Sequence, residues 1–237
     1  MNNLLAEDAS IPAVLHELRT WTGAIVGWTR ILHLRRSTDE TERAIRAIER
    51  SSTAMERFIG DLSVVSRGAG SPFRLCVEDM NLVAVVEAAL DVVRPKAELK
   101  NVALAWTAAG DWAPVVRGDQ LRVQQIVCNL LFNALQFTPR DGRVEVTLTT
   151  AARTARITVE DSGPGISRAF LPDLFQPFSQ DPAVHHADGT GLGLAIAKTL
   201  AELHSGSLDV DPGGSGRGAT FHLHLPLAPP GAMATHQ

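Results

Sequence analysis

Residues 119–139 read DQLRVQQIVCNLLFNALQFTP, and the way this stretch is understood decides the rest of the chain. Apolar residues fall at Leu121, Ile126, Leu130, Ala134 and Phe137, with Val123, Val127 and Leu131 between them. That spacing predicts a buried helix rather than a strand. Asp119 is placed to cap its start and Thr138-Pro139 to end it. Asn129 and Asn133 stand four residues apart and therefore share a face, so their amide oxygens can converge on one ligand. A lone asparagine in a helix more often bonds a local backbone group or faces solvent. The meaning of the pair depends on what accompanies it.

Downstream come EDSGPGI (160–166), DGTGLGLAIAK (188–198) and GRGATFHLHLP (216–226). The first sets the Asp161 carboxylate at the end of a strand, where it can accept a hydrogen bond from an exocyclic amine. Gly163 and Gly165 then let the backbone approach a flat ring. A simple β-turn with a capping aspartate uses the same residues. The second is a glycine-rich loop opening into a helix, whose free N–H groups and positive dipole end suit a phosphate chain. Gly189, Gly191 and Gly193 leave the room. Alone it is a weak signal, because such loops also terminate ordinary strands. Between these motifs, residues 167–187 carry few periodic positions, several prolines, Phe170, Phe175 and Phe178. His185 and His186 there have no third metal ligand nearby in the sequence.

The first 66 residues are helical in pattern. Ser10, with Pro12 in the first turn, is expected to start a helix whose seam runs Ile11, Val14, Leu18, Trp21, Ile25, Trp28 and Leu32. Ser37 and Glu40 fit a capping box for a second helix, with a seam of Ile45, Ile48, Ser52, Met55, Ile59 and Leu62. A turn this short makes an antiparallel hairpin. One hairpin cannot cover both seams, so pairing with a second copy into a four-helix bundle is expected, which makes a homodimer. His16 falls at the position most remote from the seam, with Thr20, Gly23 and Gly27 on the same outward face. It is either a surface histidine without a role or one that something approaches closely. Two interior glycines at about 1 kcal/mol each relative to alanine suggest the second.

Residues 67–73 (RGAGSPF) read as a linker. Beyond them the expected order is a short strand at Leu75–Met80, a helix from Asn81 to Leu99 that Pro95 bends or ends, and strands at Val102–Trp106 and Pro114–Arg117. The asparagine helix and a hairpin of Val144–Thr149 with Ala155–Val159 follow. A helix at Thr190–His204 and strands at Ser207–Val210 and Ala219–Leu225 complete the series. The fold class is therefore α+β: a helical hairpin over residues 10–66, a mixed sheet covered by helices over 74–226, and a disordered tail from 227 to 237.

A net charge of -4 and an isoelectric point near 6.1 give no electrostatic footprint for nucleic acid. The two cysteines are far apart and support neither a disulfide framework nor a zinc site. No apolar run is long enough to span a membrane and no leader pattern is present, so a cytoplasmic chain is expected.

Taken together and in this order, the four segments from 119 onward resemble the ATP-binding domain of sensor histidine kinases, and HELRT (16–20) resembles the phosphoacceptor motif of the same family. The resemblance implies the α/β sandwich that these kinases share with type II topoisomerases and mismatch-repair ATPases. It also implies ATP and Mg²⁺ as ligands. On that pattern Asn133 ligates Mg²⁺ with support from Asn129, Asp161 contacts the adenine amino group, and Thr220 lines the nucleotide pocket. Phe175 and Phe178 match the hinge of a lid over the nucleotide. His16 would attack the γ-phosphate, Glu17 would act as general base, and Thr20 would orient a water for dephosphorylating a partner.

The implied partners are a second copy of the chain, a response-regulator receiver domain and, if the chain is not a fragment of a longer kinase, a separate sensor protein. Two residues depart from the family pattern. Trp21 stands where proline is usual after HELRT, and Gln136 stands where a basic residue is usual near the phosphates. Both favour the rival reading, a pseudokinase scaffold that dimerises and binds nucleotide without efficient transfer. An ATPase of the topoisomerase or mismatch-repair kind has no use for the hairpin.

Overall fold

The computed structural model describes residues 4–34, 38–65, 74–109, 114–181, 190–213 and 218–229, although the side chains of residues 4–13, His16, Glu17, His33, Leu34, Thr38, Arg57, Ser63 and Val65 fall outside that description. The chain divides into two compact units, residues 1–71 and 72–237.

In the first unit, helix α1 (Leu4–Leu34) pairs with helix α2 (Thr38–Val65). The helix expected to begin at Ser10 begins at Leu4 instead and runs through Pro12. Leu4, Leu5, Ala6 and Glu7 are good helix formers, and together they outweigh the single backbone donor that the proline removes. The capping Ser37 lies outside the described residues.

Between the helices the buried residues of α2 are Ala44, Ala47, Phe58 and Val64, and the Trp21 ring meets Phe58 edge-on at 5.0 Å. This stripe is offset from the predicted seam. Two alanines admit the neighbouring helix closely, while Ile45 and Ile59 turn outward and remain 45% and 52% exposed. Thr20 is exposed on α1, and a Cβ at Gly23 or Gly27 would meet nothing within 4 Å.

The second unit begins with strand β1 (Glu78–Asn81), which pairs antiparallel with β3 (Val115–Gly118). Between them lie α3 (Leu82–Lys100) and β2 (Ala103–Ala108). Asn81 caps α3 by accepting from Val83 and Ala84, and the helix continues past Pro95 to a left-handed Asn101. Helix α4 (Gln120–Phe137) follows, then β4 (Arg143–Ala151) and β5 (Thr154–Asp161). Helix α5 (Gly193–Leu203) and strands β6 (Ser207–Asp211) and β7 (Thr220–Pro226) complete the unit.

The main sheet has the order β2-β4-β5-β7-β6, with β2 and β4 parallel and the other pairs antiparallel. It is a mixed sheet, and α3, α4 and α5 lie on it side by side. Alternate residues of its strands point under those helices and are fully buried, among them Val144, Val146, Ile157, Val159, Phe221 and Leu223. From the helix side Ile126, Leu130, Leu131, Ile196 and Leu200 meet them. Sequence spacing at 3.6 and at 2.0 thus converges on one core.

Asp119 gathers the start of α4 to two other elements. Its Oδ1 accepts from the Arg122 N–H at 3.1 Å as the helix cap, and its Oδ2 accepts from the Cys76 N–H at 3.0 Å. Its own N–H donates to Nε2 of the buried His204 at 3.0 Å, while Nδ1 of that ring donates to the Leu200 carbonyl at 2.7 Å. The ring has this room because residue 118 is glycine; a Cβ there would collide with it. The chain expected to be disordered from 227 on is paired for two residues more. Leu227 N–H donates to Arg153 and Ala228 N–H to Val115, which places the end of β7 against β3.

Candidate functional site

A cavity of about 250 Å³ opens between α4, the end of β5, residues 165–181 and the start of α5. Asn129, Asn133 and Gln136 line it from α4, Asp161 from β5, Gly165 and Gly191 from the loops, and Gly193 from the start of α5. Seven residues singled out in the sequence therefore meet at one place, although they come from segments far apart in the chain.

Asp161 sits at the closed end and is only 5% exposed. Its Oδ1 accepts from the Gly163 N–H at 2.8 Å and the Ala219 N–H at 3.3 Å, and its Oδ2 has no partner among the described residues. Burial pushes the carboxyl pKa up; the two backbone N–H groups oppose that shift, and nearby Glu160 adds to it. Gly163 and Gly218 carry the surrounding turn. Gly218 has φ +73°, its N–H donates to the Gly163 carbonyl at 3.0 Å, and a Cβ on it would collide with the Asp161 backbone carbonyl. The result is a desolvated acceptor that lines the cavity.

At the other end Asn129 Nδ2 donates to the Gly193 carbonyl at 3.0 Å, which ties α4 to the first residue of α5. Helix α5 starts three residues later than expected, because Gly191 takes φ +70° and the Thr190 hydroxyl accepts locally from the Leu192 N–H. Among the described residues no side chain caps the start of α5 at Leu192, which leaves its first-turn N–H groups for another acceptor. Phe178, also at positive φ, donates its N–H to the Gly191 carbonyl at 3.0 Å. A Cβ on Gly191 would stand 2.7 Å from the Phe178 carbonyl carbon, so the glycine loop lies directly against this turn.

Some expected residues do not line the cavity. Gly163 stands behind Asp161, Phe178 contributes its backbone to Gly191, and Thr220 opens β7 beside Ala219, which does line it. Gly189, His185 and His186 lie outside the described residues. His16, Glu17 and Thr20 belong to α1 in the other unit. The apolar wall of Phe132, Ile166, Phe170, Leu174 and Leu194 was missing from the sequence reading. Phe132 had a signal, since it sits three residues from Asn129 on the half-exposed face of α4, and Phe170 and Ile166 stand within segments already singled out. A flat ring entering this space would find apolar walls, a buried carboxylate at one end and free helix N–H groups at the other.

Residues 118–229 match the family described as histidine kinase-, DNA gyrase B- and HSP90-like ATPases. The chain is 29% identical over 235 residues to the sensor histidine kinase AtsR of Burkholderia thailandensis, covering 97% of this chain and 38% of that protein. The chain thus spans well under half the length of that curated relative. Among solved structures it resembles the mycobacterial sensor histidine kinase MprB, with 30% identity and a TM-score of 0.57, over 65% of this chain and 99% of that one. It also shares the fold of full-length ShkA solved with AMPPNP, at 24% identity and a TM-score of 0.69, over 94% of this chain and 45% of that one. Among the described residues no helix is long and apolar enough to cross a membrane.

Proposed function

This chain belongs to the sensor histidine kinase family, and from that premise we propose that it binds Mg-ATP in the cavity, phosphorylates His16 and passes the phosphoryl group to an aspartate of a response regulator. One observation carries the reading: the paired asparagines, the buried Asp161 and the glycine loop line a single cavity with an apolar wall.

Asp161 would accept the adenine amino group through its unpartnered Oδ2, and Gly165 would let the ring lie close. The free N–H groups at the start of α5 would take phosphate oxygens. Asn133 would hold Mg²⁺ through its amide oxygen. No group of three or more His, Cys, Asp or Glu among the described residues is placed to bind a metal, which suits an ion held mainly by an amide, phosphate oxygens and water. When bound, the ion neutralises phosphate charge.

On α1, a neutral His16 would form the N–P bond as the bond from the γ-phosphorus to the β,γ-bridging oxygen breaks and ADP leaves. Glu17 would take the proton from the other ring nitrogen. Thr20 would orient a water for the reverse task of dephosphorylating the regulator. Pairing of two hairpins would cover Ile45 and Ile59. The reading places the chain in the cytoplasm, where ATP is held.

The test is incubation of the chain with γ-labelled ATP and Mg²⁺, followed by acid and alkali, since phosphohistidine is lost in acid and survives alkali. His16→Gln should abolish the label and leave nucleotide affinity intact. Label retained in that variant would overturn the assignment of His16. A parent that binds Mg-ATP but takes no label would favour the pseudokinase scaffold, for which Trp21 and Gln136 already speak.

A further inference from the structure

No Lys, Arg or His is among the described residues that line the cavity proposed to hold a polyphosphate. Among its described lining residues the only charged side chains are the carboxylates of Asp161 and Asp181. Between β5 and α5 the sequence carries a single Arg, Arg168, and no Lys, and Arg168 does not line the cavity. Gln136 lines the cavity from α4 with a neutral amide. Among the described lining residues a nucleoside triphosphate would therefore meet two carboxylates and neutral donors. Its metal and the α5 N-terminus compensate only part of that charge.

Two lysines of α3 approach this rim. Lys100 is committed, because its Nζ donates to the carbonyls of Leu135 at 2.7 Å and Gln136 at 2.8 Å, closing the end of α4. Lys96 is not. It is exposed, has no ion pair among the described residues, and places Nζ 5.3 Å from the ring centroid of Phe132, a residue of the cavity wall. The neighbouring ammonium repels it, and the pKa of Lys100 is lowered by burial and by Lys96. A surface cation–π contact is weaker than a charge-assisted bond to phosphate. Lys198, by contrast, lies 4.6 Å from the centroid of Phe175, which does not line the cavity.

We propose that Lys96 supplies the positive charge that Gln136 does not, moving from the face of Phe132 to the phosphate chain when nucleotide binds. The proposal rests on the nucleotide reading of the cavity. It makes an exposed α3 side chain, from outside the glycine and asparagine motifs, a determinant of triphosphate over nucleoside.

The experiment is calorimetric titration of the full chain with Mg-ATP and, separately, with adenosine. Lys96→Ala is expected to weaken Mg-ATP about three- to tenfold, the size of an exposed charge-assisted contact, and to leave adenosine unchanged. Lys96→Arg should retain affinity, and adding Gln136→Lys to Lys96→Ala should restore it. The loss should shrink at high salt, because the contact is exposed. Lys96→Ala binding Mg-ATP as the parent does, with adenosine binding intact, would overturn the proposal alone. A parent that binds neither ligand would overturn the nucleotide reading and this proposal with it.

Discussion

The side-chain amide nitrogen of Asn129 donates to the backbone carbonyl of Gly193 at 3.0 Å, across 64 residues of sequence. One bond therefore fixes both the orientation of the asparagine and the start of α5. The amide oxygen is left with the cavity side of the helix, which is the arrangement a cation or phosphate-bound water needs. Asn129→Ala should cost about 0.5–1.5 kcal/mol of stability in the absence of nucleotide, measured by urea unfolding, because a half-buried bond is lost. If stability is unchanged while nucleotide affinity falls, the asparagine acts on ligand only.

Gly191 and Gly193 are two residues apart and should respond oppositely. At Gly191 the positive φ and the nearby Phe178 carbonyl forbid a side chain, so Gly191→Ala should destabilise by about 1–3 kcal/mol or more. At Gly193 a Cβ would find its nearest neighbour 3.8 Å away, at Asn129, and the residue opens a helix. Gly193→Ala should raise stability without ligand by up to about 1 kcal/mol and still weaken nucleotide binding, since the methyl group enters the cavity. Parallel thermal melts with and without Mg-ATP would separate the two effects.

The buried carboxylate of Asp161 carries a stability cost with a definite pH sign. Its folded-state pKa lies above its ordinary value, so the folded protein binds the proton more tightly than the unfolded chain does. The favourable contribution is present below the ordinary carboxylate range and is lost as pH rises through the raised value. Asp161→Asn keeps an oxygen for Gly163 and Ala219 and removes the charge. It should be more stable than the parent at neutral pH, with the difference vanishing in acid, and should bind nucleotide more weakly. Melting curves at pH 7 and pH 4 that show the same difference at both would contradict this.

Phe58 is 3% exposed and takes the edge contact from Trp21. Phe58→Ala should destabilise the helical unit by about 3–5 kcal/mol, seen as an earlier loss of helical circular dichroism. Trp28→Ala should act instead on dimerisation, read by light scattering. A parent that is a monomer at micromolar concentration would remove the four-helix bundle from the proposed function.

Helix α4 and both its caps were legible because everything that makes them is local: apolar spacing, Asp119, Thr138 and the Pro139 that follows it. The sheet strands were legible for the same reason, apart from shifts of a few residues at their ends. What escaped depends on partners distant in sequence. Whether Phe58 or Ile59 faces the neighbouring helix is decided by how closely Ala44 and Ala47 admit it, a packing choice that periodicity alone leaves open. Ala219 lines the cavity and Thr220 does not because Gly218 presses that turn against the Asp161 backbone. His204 gave no sign of its role, since its hydrogen-bond partner Asp119 is 85 positions away.

The three-way connection at Asp119 also has a mechanical meaning. The peptide at Cys76, the first turn of α4 and the ring of His204 at the end of α5 all fasten to this one residue. Tension entering the second unit at residue 74 is borne within two residues by the Cys76–Asp119 bond, before it reaches the sheet. From that node the load divides between the two helices that carry Asn129 and Gly193, so the strain arrives at both sides of the glycine loop together and their spacing is preserved. A pull on the chain at this point would shift the cavity as a rigid piece before it distorted it.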